Sequence, residues 1–415
     1  MYLNRALLLA QPRNRKMHHR GLFPPPRIMQ EVTEEEAVRK VRQLYDSGVP
    51  FFTKDALRHM ASLLQTTRQS GNNDNDQKLT IMGLDGHTTE ITCDHGKIMP
   101  NQGPFGRRED NIGYEAVWNS CITYTTINQL LWPDNITSGV HGDDMPYFPM
   151  SISYRLKYRH SQTKAEVIVT EVMEDSPMFV RMPLLHARQA FEHQRLQFRN
   201  SPQAAEVRSV LDSYAEFPTV KKIVAFACGS LLWDAEALGG ATHSLPQHAL
   251  ALFVRDYFSE KQGGAVQCFA QEPDYQDADC EILEEVGVTV LEDPWGFIEV
   301  DDETVVLAFS PDVPVRQIVA DLARPGLMFW NSGWHADAHD TKGCDPGKVI
   351  VSSNSTDPMA PRLGKMVEGY WEHPFREEDG SYTFFKAAMY IRKPIDVIEA
   401  EEENMEAGLL APTSE

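Results

Sequence analysis

The chain has 415 residues, 42% hydrophobic and 24% charged, an ordinary balance for a globular protein long enough for two or three domains. No apolar run approaches the roughly 20 residues that a membrane-spanning helix needs. The net charge is −21, and because residues 1–30 hold six Arg and Lys and no acid, the rest of the chain bears −27. Such an acidic body repels nucleic acid at long range, so any RNA partner requires a local basic surface.

The first 30 residues fit either a mitochondrial leader or a disordered basic tail, and Pro24-Pro25-Pro26 with a weak apolar face favours the tail. Thr33 and Glu36 have capping-box spacing and predict a helix with Ala37, Val41, Leu44 and Tyr45 inward, stopped by Gly48-Val49-Pro50. A second helix is expected from Thr53, as N-cap, to about Gln65, with Ala56, Leu57, Met60 and Leu64 inward. Gln69 to Gln77 reads as a polar loop.

From Leu79 to Val180 the pattern is short strands and loops. Ser151–Tyr158 alternates, as does Ala165–Val172, which predicts a hairpin across His160 to Lys164. Leu184 to Tyr214 is helical and basic, divided by Pro202.

The informative stretch is 222–331. Strands are expected at Val220–Ala227, Val266–Ala270, Val288–Leu291, Thr304–Phe309 and Gly326–Trp330. Helices are expected at Gln247–Ser259, Asp277–Val286 and Val315–Leu322, with Gly287 at a C′ position. Alternation of this kind predicts an α/β fold: a Rossmann-like, mostly parallel sheet with helices on both faces, plus N-terminal helical and β-rich elaborations. After Asn331 the chain reads as loop until a strand at Tyr382–Ile391, and it ends in acids from Glu399. The expected organisation is a tail (1–30), a helical and hairpin region (31–215), the core (216–335), a C-terminal elaboration packed on it (336–398) and an acidic tail (399–415).

The first strand runs into Cys228-Gly229-Ser230. A strand ending in a small-residue turn before a helix is where open α/β sheets place ligands. That turn lacks Gly-x-Gly-x-x-Gly, which disfavours a dinucleotide, and the chain has no Walker loop. The six cysteines form no Cys-x-x-Cys pair, so reduced thiols in a cytoplasmic protein are expected. His335-Ala336-Asp337-Ala338-His339, with Asp340 and Cys344, has spacing a metal could use, but it falls in a polar, loop-like stretch. No metal or other cofactor is expected.

Within residues 222–331 lie Glu272-Pro273-Asp274-Tyr275 with Asp279, the run Leu283 to Leu291, the helix from Ser244 to Leu250, and Phe309-Ser310-Pro311. In these residues the stretch resembles the sensitivity-to-red-light-reduced (SRR-like) domain family. Tyr45 to Leu57 and Pro314 to Pro325 are similar to the fungal branch of that family. This branch includes arginine-containing cyclodipeptide synthases, so the resemblance implies an aminoacyltransferase. Its partners would be arginyl-tRNA and a second aminoacyl-tRNA, its product a diketopiperazine, a secondary metabolite. Plant and animal relatives imply instead a regulatory protein, linked to the clock or to tetrapyrroles.

On the transferase reading, Ser230 is the candidate nucleophile, beside Gly229 whose backbone can approach an oxyanion. The alternative is a turn serine that caps a helix. Cys228 competes but reads as core. His248 or His243 is a candidate general base, and His248 reads equally well as a packed core histidine. Glu272 and Asp274, with Asp279, are the carboxylates expected to face a guanidinium, although an acid after the second strand can also hold a ribose hydroxyl. Arg188, Arg195 and Arg199 share one helix face and could meet tRNA phosphates, or pair with acids of this acidic chain. Asp301-Asp302-Glu303 reads as a turn. The Tyr-aliphatic-x-Glu-x-Pro pattern of bacterial cyclodipeptide synthases is missing, since Tyr370-Trp371-Glu372-His373-Pro374 is one residue short.

Overall fold

The computed structural model describes residues 34–69, 78–84, 86, 88–99, 114–131, 148–163, 166–167, 182–214, 217–233, 243–331, 356–375, 384 and 387–400. The expectations for residues 1–30, 70–77, His335 to Cys344 and 401–415 lie outside them.

Two helices open the described chain, α1 (Glu34–Asp46) and α2 (Lys54–Gln69). Thr53 caps α2 as expected: the Ala56 amide donates to its hydroxyl at 3.1 Å. The helix runs past Gln65 because Thr67, one turn on from Leu64, is also buried and extends the inward face. Next come the hairpin β1 (Lys78–Met82) and β2 (Thr88–Thr92), then an antiparallel sheet of β3 (Ile98–Met99), β4 (Tyr114–Tyr124), β5 (Met150–His160) and β6 (Glu166–Val167), with α3 (Ile127–Leu131) after β4. The β5–β6 pairing, Tyr158 opposite Val167, is the hairpin read from the sequence. Helices α4 (Leu184–Arg199) and α5 (Pro202–Asp212) follow. They divide where expected, because Ser201 caps α5 by accepting from the Ala204 amide at 3.1 Å and Pro202 occupies the first turn.

The core alternates as the sequence predicts: β7 (Lys222–Phe226), α6 (Ser244–Gln262), β8 (Gln267–Gln271), α7 (Asp277–Glu285), β9 (Thr289–Val290), α8 (Trp295–Glu299), β10 (Thr304–Ala308), α9 (Val315–Leu322) and β11 (Leu327–Asn331). Three further elements, α10 (Pro361–Glu368), β12 (Tyr370–Pro374) and β13 (Ala387–Arg392), complete it. The seven-stranded sheet has the order β12-β13-β11-β10-β7-β8-β9. Its five core strands are parallel, and β13 runs antiparallel between β11 and β12. The chain therefore winds outward from β7 in one direction through β8 and β9, and in the other through β10 and β11. This is a doubly wound sheet with its switch point between β7 and β10.

Because side chains alternate along a strand, each core strand feeds two layers. Ile223, Ala225, Val305, Leu307, Leu327 and Phe329 pack against α4 to α7. Val224, Phe226, Val306, Ala308, Met328 and Trp330 pack on the opposite face, with α1, α2, α8, α9, α10 and the β4–β5 sheet. Phe226 stacks on Phe297 of α8 with centroids 4.6 Å apart. Each such burial contributes roughly 1.5–3 kcal/mol.

Four elements went unread in the sequence: the helices α3, α8 and α10 and the strand β12. α8 and α10 are short, and β12 is recognisable only through its pairing with β13. Among the described residues β13 starts at Ala387, where its ladder with β11 begins.

The two segments that carry the fungal resemblance meet in space. Asp321 of α9 accepts the Phe51 and Phe52 amides on Oδ2 at 2.6 and 3.1 Å, and its Oδ1 takes Arg362 Nη1 at 3.0 Å. The Arg362 guanidinium lies 4.0 Å from the Tyr45 ring centroid. The turn after α1 is thereby tied to α9 and α10.

Candidate functional site at the sheet switch point

The carboxyl ends of β7, β8 and β10 form the rim where a doubly wound sheet places ligands. After β7 the chain turns through Ala227 (φ 55°) and Gly229 (φ 73°), and after β10 through Ser310 (φ 52°). Ala227 and Ser310 are the non-glycine residues with positive φ among the described residues, and they flank the switch point from its two adjoining strands. Strained backbone of this kind is characteristic of ligand sites. Ser310 is held by its amide donating to Asn331 Oδ1 at 3.0 Å, at the end of β11.

Glu272 follows β8 directly. Its Oε2 accepts the Gly229 amide at 2.9 Å and its Oε1 the Asp274 amide at 3.1 Å. Burial, then the charge of Asp274 and more weakly that of Asp312, push its carboxyl up from an ordinary 4.5 to about 7, against the two amide bonds. Asp312, in the turn after β10, is also raised, by burial and by Asp274, while Arg155 opposes the shift. Glu272, Asp274 and Asp312 thus gather at one place, and among the described residues none of them forms an ion pair. Asp312 was missed in the sequence. The signal that finds it is its position just past the strand that proves to adjoin β7.

Ser230 lies on the same turn, but its hydroxyl faces inward. The residue is fully buried, and its Oγ donates to the Asp279 carboxylate at 2.9–3.0 Å while accepting the Leu232 amide at 3.1 Å. The hydroxyl thus closes the turn and is turned away from solvent, which is not the geometry of a nucleophile; nor is it the expected helix cap, because the next helix among the described residues begins at Ser244. Asp279 is likewise corrected from substrate ligand to lock. Itself fully buried, it accepts the Leu231 amide at 2.7 Å and, as the third residue of α7, reaches back to the Gln276 amide at 2.8 Å. The Gly229 amide, expected at an oxyanion, is already given to Glu272.

His248 is the packed core histidine and not the base. Its Nδ1 donates to the Ser244 carbonyl at 2.7 Å and its Nε2 accepts from Tyr275 Oη at 2.5 Å; burial lowers its pKa to about 4 and keeps it neutral. Phe191 of α4 covers it edge-on. Cys228 is buried, and burial drives its thiol pKa up, so no thiolate forms there.

The arginine face of α4 is largely paired. Arg188 donates to Glu285 through Nε at 2.8 Å, and to Glu281 and Glu285 through Nη2 at 2.6 and 2.7 Å. Arg195 meets Glu192 at 2.8 Å, and Arg199 is exposed. Asp301 to Glu303 form the expected turn before β10. Among the described residues no group of three or more His, Cys, Asp or Glu is arranged to hold a metal, and no helix is long and apolar enough to cross a membrane.

Strand order and rim together define a doubly wound α/β domain with an acidic switch-point rim and a buried serine–aspartate lock beneath it. Residues 202–379, from the first residue of α5 past the end of β12, match the family model of the SRR1 domain. A comparison with curated proteins finds no match.

Proposed function

We propose that the switch-point rim binds a guanidinium group and that the protein is an aminoacyltransferase. In this reading it joins arginine from arginyl-tRNA to a second aminoacyl group and releases an arginine-containing diketopiperazine. The observation that supports it is the gathering of Glu272, Asp274 and Asp312, without an ion-pair partner among the described residues, at the place where such sheets bind ligands. Carboxylates facing a guanidinium give both charge and direction.

The reaction needs no covalent intermediate on Ser230. The α-amine of one aminoacyl ester attacks the carbonyl of the other, the ester C–O bond breaks, and the terminal ribose hydroxyl of the tRNA leaves with a proton. A second attack of the same kind closes the ring and frees the second tRNA. Glu272, with a carboxyl near 7, is suited to take the proton from the amine and return it to the departing oxygen. Asp274 and Asp312 then hold the guanidinium.

The test is incubation of the purified protein with arginyl-tRNA and a mixture of other aminoacyl-tRNAs. Mass spectrometry is expected to find an arginine-containing cyclic dipeptide. No product, with a control cyclodipeptide synthase active in the same mixture, overturns the transferase reading.

The burial of Ser230 and His248 favours a second reading, a non-catalytic SRR-like regulator whose rim binds its ligand or partner without turnover. It predicts that the rim binds a guanidinium compound in calorimetry while the charged-tRNA assay stays empty.

A further inference from the structure

A cavity of about 200 Å³ opens between α10 and the β11–β13–β12 side of the sheet. It adjoins the rim through Asn331, whose side chain holds Ser310 and whose backbone carbonyl lies 3.4 Å from Arg316 Nη1. Trp330, Tyr370 and Tyr390 line it with almost no exposed surface of their own, and Leu363 and Val367 of α10 form an apolar wall. It is smaller than the roughly 300–1,000 Å³ typical of sites for drug-sized ligands, so its ligand is compact.

The charge balance of the cavity is negative. Arg316 is 7% exposed, and its cation is neutralised by Asp357, whose Oδ2 accepts the Arg316 Nε at 3.1 Å and its backbone amide at 2.9 Å. Two further acids, Glu368 and Glu372, line the cavity from exposed positions, and Glu372 takes a hydrogen bond from the Tyr390 hydroxyl. Neither forms an ion pair among the described residues. Carboxylates at the mouth of an apolar wall favour a cation through their charge, and the wall favours an apolar body behind it.

We infer that this cavity binds a small organic ammonium ion on an aromatic or branched apolar body. The apolar body sits against Trp330 and Leu363, and the ammonium meets Glu368 and Glu372. This site is separate from the rim and does not depend on the arginyl reading, because none of its groups is Glu272, Asp274 or Asp312.

The probe is phenethylammonium, compared by calorimetry and saturation-transfer NMR with phenethyl alcohol and 3-phenylpropionate on the full chain. Phenethylammonium is expected to bind, and the alcohol and the carboxylate to bind more weakly. Glu372→Gln and Glu368→Gln, both at exposed positions, should each weaken the ammonium about fivefold. Leu363→Trp, which fills the cavity, should abolish it, and Glu272→Gln should leave it unchanged. The inference is overturned if the alcohol binds as tightly as the ammonium, if both glutamine variants retain full affinity, or if the folded wild-type protein binds none of the three.

Discussion

Glu272 accepts the Gly229 amide at 2.9 Å, so the acid that ends the second core strand closes the turn that ends the first. The same carboxyl is raised to about 7, which makes it both a structural clasp and the group at the rim whose charge changes near neutral pH.

Guanidinium binding at the rim should therefore strengthen as pH rises. Below about 7 Glu272 is mostly neutral, and above it an anion. With N-acetylargininamide as ligand, affinity should rise up to about tenfold between roughly pH 6 and pH 8, and Glu272→Gln should flatten the rise. Calorimetry at a series of pH values reads this directly. An affinity independent of pH in the wild type would remove Glu272 from the site.

The same shift affects stability in the opposite sense. Between an ordinary 4.5 and about 7 the folded protein keeps a proton that the unfolded chain has released, so unfolding free energy falls as pH rises through that window. Asp293, raised by burial from 3.8 to about 6, acts in the same direction at lower pH. Urea midpoints should fall from pH 5 to pH 7.5, with a shallower fall in Glu272→Gln.

Ser230→Ala should cost about 1–2 kcal/mol in stability, since it removes the hydroxyl that joins Asp279 to the Leu232 amide. Asp279→Ala should cost more, about 3 kcal/mol, because it strands the Leu231 and Gln276 amides as well. Equilibrium unfolding measures both. A Ser230→Ala protein of unchanged stability that makes no product would restore the serine as nucleophile.

Asp357→Ala should be among the most damaging single changes, about 3–5 kcal/mol, because it leaves the Arg316 cation buried without its partner. Replacing both residues, Arg316→Met with Asp357→Leu, should recover much of that loss. A single variant as stable as the wild type would mean that solvent reaches the pair.

Tyr124→Phe tests the attachment of the β4–β5 sheet to the core. Tyr124 Oη donates to Asp293 Oδ1 at 2.6 Å, and Gln271 Nε2 donates to the same oxygen at 3.1 Å. Loss of the phenol should cost about 1.5–3 kcal/mol where Asp293 is ionised and less where it is protonated. The difference between pH 8 and pH 5 in thermal or urea unfolding reads the effect.

The alternation of strands and helices was legible because each core strand is a short apolar run buried on both faces, and each helix repeats its apolar residues at the helical period. The split at Pro202 and the Thr53 cap were legible for the same local reason. The order of the strands was not. Nothing within Thr304–Ala308 states that it will lie beside β7, and without that neighbour Asp312 cannot be placed opposite Glu272. β12 was hidden because its stabilising contacts come from β13, whereas α10 did carry local signals, Pro361 in its first turn and Leu363 and Met366 on one buried face, that were not read.

The amino-acid sequence by itself determined that a parallel α/β sheet forms between residues 222 and 331, that the turn at Cys228 to Ser230 ends its first strand, and that acids follow its second. The tertiary structure decided what each of those groups does. Asp279, forty-nine positions beyond Ser230, draws the hydroxyl inward, and the neighbours Asp274 and Asp312 together with burial hold Glu272 near neutrality. Periodicity and turn preference act between residues close in the chain. Hydrogen-bond direction and carboxyl charge depend on which distant atoms arrive within a few ångströms, and only the folded chain brings them there.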